Sequence, residues 1–80
     1  MRIPTPELLG KLTDRERQVA GLVAEGYDNT FISKTLGIQR GVVANTLSRV
    51  YIKLDMNTWS GFNIRVVLAN VINAIKYSRV

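Results

Sequence analysis

Residues 28–54 read DNTFISKTLGIQRGVVANTLSRVYIKL, and the spacing of apolar residues in this stretch decides the fold. Its first part carries apolar residues at helical spacing followed by a glycine, which predicts a short helix ended by a tight turn (Phe31, Ile32, Leu36, Gly37). Its second part repeats apolar residues at i, i+4, i+7 and i+11 (Val43, Leu47, Val50, Leu54). That repeat predicts a longer helix with one narrow buried face. Together the two parts predict a helix-turn-helix unit.

A further helix is predicted before this unit. Thr13 and Glu16 match the S/T-x-x-E capping box, and Leu12 stands where a hydrophobic staple is expected. Apolar residues at helical spacing follow, and a glycine ends the pattern (Val19, Leu22, Val23, Gly26). Either Asp28 or Asn29 is a suitable N-cap for the next helix.

The rest of the chain completes an all-α prediction. Residues 55–59 read as a connector, and a fourth helix is expected from Ser60 to Tyr77 with Ser60 as its cap. No strand-like alternation occurs, so the predicted fold is a four-helix bundle that contains a helix-turn-helix. Residues 1–11 hold both prolines and are expected to be an arm or linker, and 12–80 to be the domain with a C-terminal dimerisation helix.

Composition excludes several classes of function. The chain has 80 residues with no cysteine and no histidine, so the commonest general base and the commonest zinc ligands are absent. Four of the five acids in the first 28 residues are read as cap and first-turn residues (Asp14, Glu16, Glu25, Asp28). We therefore expect no catalytic residue, no metal site and no cofactor. The chain also lacks a secretory signal and an apolar run of about 20 residues, so a cytoplasmic location is expected.

The charge is distributed unevenly. The formal net charge is +5, yet residues 1–28 carry four basic residues against five acids. Residues 29–80 carry seven basic residues against one acid. A positive field confined to the part with the helix-turn-helix favours a polyanionic partner, and double-stranded DNA is the one expected.

Several short motifs resemble one family. Residues 12–16 (LTDRE), residues 24–29 (AEGYDN) and a set of later positions are similar to the LuxR/GerE-type DNA-binding domain (Val19, Ile32, Leu36, Ile38, Val43, Asn45, Lys53, Leu54). The likeness covers about residues 11–62. It implies a DNA-binding transcription regulator whose third helix enters the major groove and whose fourth helix forms a dimer. Some polar positions of the family pattern differ here (Gln39, Val42, Ala44, Thr46, Trp59).

The DNA contacts are predicted from the face of the third helix opposite its apolar positions. Base contacts are expected from Asn45, Ser48, Arg49 and Ala44, because asparagine can bond adenine and alanine can touch a thymine methyl. Phosphate contacts are expected from Asn29, Thr30, Lys34, Arg40 and Lys53. Tyr27, Phe31 and Trp59 are expected in the core, and Ile52 faces outward or packs on the fourth helix.

The fourth helix is apolar over an arc wider than the usual stripe of about 100°. The predicted dimer contacts are Ile64, Val67, Leu68, Val71, Ile72 and Ile75, with Val66 on another side and Arg65, Asn73 and Lys76 on the wet face. One small domain cannot bury so wide an arc, so a homodimer is expected. Burial within the chain is the alternative, and a membrane partner is not expected because the polar face is not strongly basic.

Two other interpretations stay open from the sequence. A sigma-factor-like promoter-binding domain has a similar helix-turn-helix, and Leu36-Gly37-Ile38 with Ser48-Arg49 suits it. A protein-interaction module that kept the fold and lost DNA binding is favoured by the few polar residues of the third helix. RNA polymerase or another regulator is a further candidate partner.

Overall fold

The computed structural model describes residues 9–56 and 63–77, with side chains described as far as residue 74. Within these residues lie four α-helices: α1 (Asp14–Ala24), α2 (Asn29–Leu36), α3 (Arg40–Lys53) and α4 (Ile64–Tyr77). The described segments contain no strand. The predicted all-α class with four helices and a helix-turn-helix is therefore confirmed.

Helix α1 begins at the capping box that the sequence predicts. The Glu16 amide donates to the Thr13 hydroxyl at 3.2 Å, and the Thr13 amide donates to Oε1 of Glu16 at 2.8 Å. Leu12 is buried just before the cap. The helix ends at Glu25, and Gly26 follows with a φ of +97°. The two hydrogen bonds between Thr13 and Glu16 satisfy backbone amides that otherwise have no partner at the start of a helix.

The turn between α2 and α3 sets the angle of the helix-turn-helix. Asp28 is the N-cap of α2, and its carboxylate accepts a hydrogen bond from the Phe31 amide at 2.8 Å. Gly37 ends α2 in the left-handed conformation at φ +69°, which glycine adopts without a steric penalty. The Ile38 amide then donates to the Ser33 carbonyl at 3.0 Å. Gln39 caps α3 without a side-chain hydrogen bond, as its poor capping chemistry predicts.

The core lies where α1 meets α3 and α4, with α2 packed against α3. The buried apolar residues come from every helix and include the four apolar positions predicted for the third helix, the last of which, Leu54, is the C-cap of α3 (Val19, Ile32, Val43, Leu47, Val50, Leu54, Leu68). Met56, in the connector after α3, is also fully buried. Leu9 packs partly buried against this cluster. The sequence pattern does not identify Met56, because a residue outside a helix has no periodicity to follow.

Leu68, one of the predicted dimer contacts, lies in the domain core. Its side chain is fully buried within the single chain. Ile64, Val67 and Ile72 are partly buried against the same core. The predicted start of the fourth helix at Ser60 is wrong: α4 begins at Ile64, and Oδ1 of Asn63 accepts a hydrogen bond from the Val66 amide at 3.4 Å, so Asn63 is the cap. Trp59 and the side chain of Ile75 lie outside the described residues. In the part of the chain that is described, no helix combines the length and apolar character needed to cross a bilayer.

Candidate nucleic-acid interface

Helix α3 separates its residues cleanly into an inner and an outer face. The inner face is buried and holds Val43, Thr46, Leu47 and Val50. The outer face is exposed and comprises seven residues (Gly41, Val42, Ala44, Asn45, Ser48, Arg49, Ile52). The four predicted base contacts, Asn45, Ser48, Arg49 and Ala44, all lie on this face. Ile52 is 61 % exposed, so it faces outward rather than packing on α4. An exposed face of one helix, at the second position of a helix-turn-helix, has the shape that fits a major groove.

Arg40 begins this face from the helix end. It is the first residue of α3 and its side chain is exposed. The first amides of a helix point away from the helix and attract anions, because they have no partner within it. Arg40 and these amides together can therefore hold a phosphate.

A buried carboxylate links α1 to the last turns of α3. The Glu16 side chain is only 4 % exposed; its Oε1 lies 2.7 Å from Nζ of Lys53, and its Oε2 lies 3.4 Å from Nε of Arg49. The hydrogen bond from Lys53, with that from the Thr13 amide, holds the pKa of Glu16 below its usual range and outweighs the effect of burial. Glu16 is therefore charged at neutral pH and fixes the position of two cations.

The Glu16 carboxylate contacts two of the residues that the sequence predicts to bind DNA, Lys53 and Arg49. Lys53 is about one-third exposed and bonded to Glu16, so its first role in the fold is to join α3 to α1. Arg49 is more exposed, at 57 %, and also donates to the Thr46 hydroxyl at 3.3 Å. Arg49 can therefore reach outward while Glu16 holds its inner edge.

The N-terminus of α2 is bonded to a residue of α4. Arg65 of α4 donates to Oδ1 of Asn29 at 2.8 Å and to the Tyr27 carbonyl at 2.6 Å. The prediction that Arg65 lies on the wet face of α4 is therefore wrong: its guanidinium ties α4 to the start of α2. Thr30 and Lys34 are exposed on α2 and are available to an anionic partner.

Two aromatic residues are placed differently from the prediction. The sequence pattern puts Tyr27 and Phe31 in the core, but they are 38 % and 45 % exposed. Their rings stack on each other, with centroids 4.1 Å apart and planes 16° apart. Stacking covers one face of each ring, so the pair shields itself at the surface instead of entering the core.

The outward face of α4 is narrower than the sequence predicts. Val66, Asn70 and Ala74 are exposed at i, i+4 and i+8, and Val71 beside them is half-buried. Asn73 is predicted on the wet face, but its Nδ2 donates to the Ala24 carbonyl at 3.2 Å and so closes the end of α1. The face open to a partner is therefore centred on Val66, Asn70 and Ala74.

These features define a helix-turn-helix domain of the kind found in transcription regulators: a short bracing helix, a glycine turn, and a second helix with one exposed face. The model of the bacterial regulatory proteins of the luxR family matches residues 10–60. The chain belongs to this family. The match favours the LuxR/GerE interpretation over the sigma-factor-like one.

Two curated relatives agree with the family. The chain is 39 % identical over 62 residues to the transcriptional regulatory protein DesR of Bacillus subtilis. The matched region covers 69 % of this chain and 31 % of DesR. It is 44 % identical over 48 residues to a predicted HTH-type transcriptional regulator in the exeN 3′ region of Aeromonas salmonicida, covering 60 % of this chain and 24 % of that protein. The chain thus spans about a third or less of these relatives. No solved structure matches it significantly.

Proposed function

We propose that this chain binds double-stranded DNA as the DNA-binding domain of a transcription regulator, with α3 in the major groove. The single observation that carries the proposal is the outer face of α3, where Asn45, Ser48 and Arg49 are exposed side by side. The major groove admits one α-helix, and its base edges carry the donors and acceptors that these side chains match. The family match and the names of its relatives, which are transcription regulators, support the same conclusion.

Phosphate contacts flank this helix in the proposed complex. Arg40 and the first amides of α3 lie at the N-terminus of that helix, and Thr30 and Lys34 are exposed on α2. Asn29, the first residue of α2, contributes to the phosphate contacts through its position at the start of the helix. Its side-chain oxygen stays bonded to Arg65. Contacts of this kind fix the orientation of a protein on the duplex without reading its sequence.

A titration at several salt concentrations tests this proposal. Binding of a random-sequence duplex is followed by fluorescence anisotropy, and log Kd is plotted against log salt. Each phosphate contact contributes a slope of about 0.9, so Lys34→Ala and Arg40→Ala are each expected to flatten the plot by about one unit. Gln18→Ala, on the exposed side of α1, is the matched control and leaves the slope unchanged. Binding that is absent at low salt, or insensitive to salt, contradicts the proposal and favours a protein-interaction module.

We also propose that the active form is a symmetric dimer held by α4. Val66, Val71 and Ala74, with Val67 at the edge, form an apolar strip on the outward side of this helix. Val66 is 52 % exposed, and Val71 is half-buried without belonging to the core cluster. A strip of small apolar residues allows close approach of the same helix from a second copy, so the two strips can cover each other.

Sedimentation of charged variants tests the dimer. Val66→Asp is expected to convert dimer to monomer at micromolar concentration, because an unpaired charge buried between the two copies of α4 costs several kcal/mol. The helix content, followed by circular dichroism, stays unchanged because Val66 lies outside the core. Asn70→Asp, at the next exposed position on the same face, is a graded comparison with a smaller effect. A parent chain that is monomeric at high concentration and also on DNA contradicts the dimer.

A further inference from the structure

The outward side of the first turns of α3 surrounds one amide with small or apolar side chains. Asn45 is exposed at its centre, and Val42 and Ala44 are exposed on its two sides. Val42 is 42 % exposed although it is fully apolar. Single exposed valines are common on proteins, but this one lies one helical turn from the amide best suited to read a base.

Gly41 leaves open space beside Asn45 on the outer face of α3. It lies in the first turn of α3 in ordinary helical geometry, and a Cβ built there meets no described atom within 4 Å. The fold of the domain therefore does not require glycine at this position, and glycine weakens a helix relative to alanine. A missing side chain next to Asn45 leaves room for the close approach of another molecule.

The basic residues of α3 lie towards the two ends of its outer face and not at its centre. Guanine is most often read by arginine or lysine, which bond its O6 and N7. Lys53 is bonded to Glu16, and Arg49, whose inner edge contacts Glu16 and Thr46, lies one helical turn beyond Asn45. Arg40 lies at the helix start, where a phosphate is the expected partner. The central part of the face therefore has the chemistry of an amide and two apolar groups.

We propose that α3 reads A·T base pairs, with Asn45 on adenine and the apolar side chains of Val42 and Ala44 on thymine methyl groups; this rests on the DNA binding proposed above. The Asn45 amide donates from Nδ2 to adenine N7 and accepts at Oδ1 from adenine N6. A thymine methyl projects into the same groove and gains from contact with an apolar side chain. The specificity-determining residues are thus Val42, Ala44 and Asn45, and the target is rich in A·T pairs.

Modified duplexes test the methyl contact directly. Three duplexes of about 20 base pairs, two helical turns, are titrated at a low and at a higher salt concentration: alternating A·T, the same sequence with deoxyuridine in place of thymidine, and alternating G·C. Removing each contacted methyl is expected to weaken binding about fourfold, the effect of one buried methylene-sized group. The G·C duplex is expected to bind at least about tenfold more weakly than A·T, because a good bidentate pair discriminates by that order.

Variants assign the effects to residues. Asn45→Ala is expected to lose most of the preference for A·T over G·C, and replacing adenine by 7-deazaadenine weakens the parent but not this variant. Val42→Ser and Ala44→Ser are expected to reduce the difference between thymidine and deoxyuridine. Ile52→Ser is the matched control, because Ile52 is also an exposed apolar residue of α3 but lies two turns further along the helix. This variant is expected to retain the full difference in affinity between the thymidine and deoxyuridine duplexes. Circular dichroism confirms that every variant is folded.

The contrary outcomes are distinguishable. Equal binding of all three duplexes with a steep salt dependence overturns A·T reading and leaves the proposed DNA binding intact. Tighter binding to G·C overturns it in the same way. No binding to any duplex at low salt contradicts the proposed function itself.

Discussion

Nζ of Lys53 lies 2.7 Å from Oε1 of Glu16, so an ion pair joins the last turn of α3 to the first turn of α1. The same carboxylate closes the capping box with Thr13 and meets Arg49 through its other oxygen. One buried charge therefore starts a helix and also positions the helix that we propose to enter the groove. This arrangement gives the domain a rigid connection between its scaffold and its exposed face.

Neutralising Glu16 is expected to destabilise the domain. Glu16→Gln keeps an oxygen for the Thr13 amide but removes the charge that Lys53 and Arg49 face, at an expected loss of about 1–3 kcal/mol in the free energy of unfolding. Urea denaturation measures the loss. Asp14→Asn is the matched control, because Asp14 is 98 % exposed and pairs only with the neighbouring Arg17 among the described residues. An equal loss in both variants contradicts the role of the buried pair.

The stability of the domain is expected to fall in acid through the same residue. The pKa of folded Glu16 is lowered, chiefly by its hydrogen bond from Lys53, whereas in the unfolded chain it is about 4.3. Its contribution is therefore complete above the unfolded value and is lost as pH falls through the lowered folded value. Thermal unfolding between pH 7 and pH 3 measures this loss, with a shallower decline expected for Glu16→Gln. Parallel curves for parent and variant contradict the assignment.

Helix α3 is expected to gain stability from a better N-cap. Gln39 makes no capping bond, whereas a serine hydroxyl can accept from an amide of the first turn. Gln39→Ser is expected to raise the free energy of unfolding by about 0.5–1 kcal/mol. Gln18→Ser makes the same exchange inside α1, where serine is a poorer helix former, and is expected to lower stability slightly. A gain at both positions contradicts the capping explanation.

Two glycines provide a paired test of close approach by DNA. A Cβ at Gly21 of α1 or at Gly41 of α3 meets no described atom within 4 Å. Alanine at either position is therefore expected to stabilise the domain by about 0.5–1 kcal/mol. Only Gly41→Ala is expected to weaken DNA binding, because only Gly41 lies on the proposed interface. Unchanged DNA affinity in Gly41→Ala places the interface elsewhere on the domain.

Truncations on α4 test which residues belong to the core. Leu68→Ala removes a fully buried side chain and is expected to cost about 2–5 kcal/mol. Val66→Ala, on the exposed side of the same helix, is expected to change the stability of the monomer by less than about 0.5 kcal/mol. Denaturation at low protein concentration, where dimers are dissociated, separates the two effects. A large loss in Val66→Ala there shows that its side is covered within the chain.

The sequence predicts the helices well because their signals are local. A capping box at Thr13 and Glu16, a glycine at 37, and an apolar repeat along α3 each depend on residues within a few turns of one another. The outer face of α3 follows from the same repeat, since the residues opposite a buried face are exposed. The apolar spacing alone therefore places Asn45 and Ser48 on the candidate interface.

What the sequence does not predict depends on contacts between distant segments. Glu16 reads as a capping residue, and nothing near it in the sequence indicates that Lys53 of α3 reaches the same carboxylate. Arg65 reads as a solvated cation for the same reason, although it bonds the start of α2. The stacking of Tyr27 on Phe31 is local, but whether such a pair is buried depends on how α4 packs beside it. The burial of Leu68 in the domain core is not predicted either, because an apolar arc alone does not say which part of it faces the core of its own domain.

The central claim is that α3 enters the groove of duplex DNA, and amide chemical-shift mapping tests it most directly. A ¹⁵N-labelled chain is titrated with an alternating A·T duplex, and the shift of every backbone amide is followed. If α3 enters the groove, the largest changes occur at the start of α2, around Thr30, and along the outer face of α3 from Arg40 to Arg49, with small changes on the exposed side of α1 around Gln18. Changes concentrated on α1, or no change at low salt, would contradict this claim.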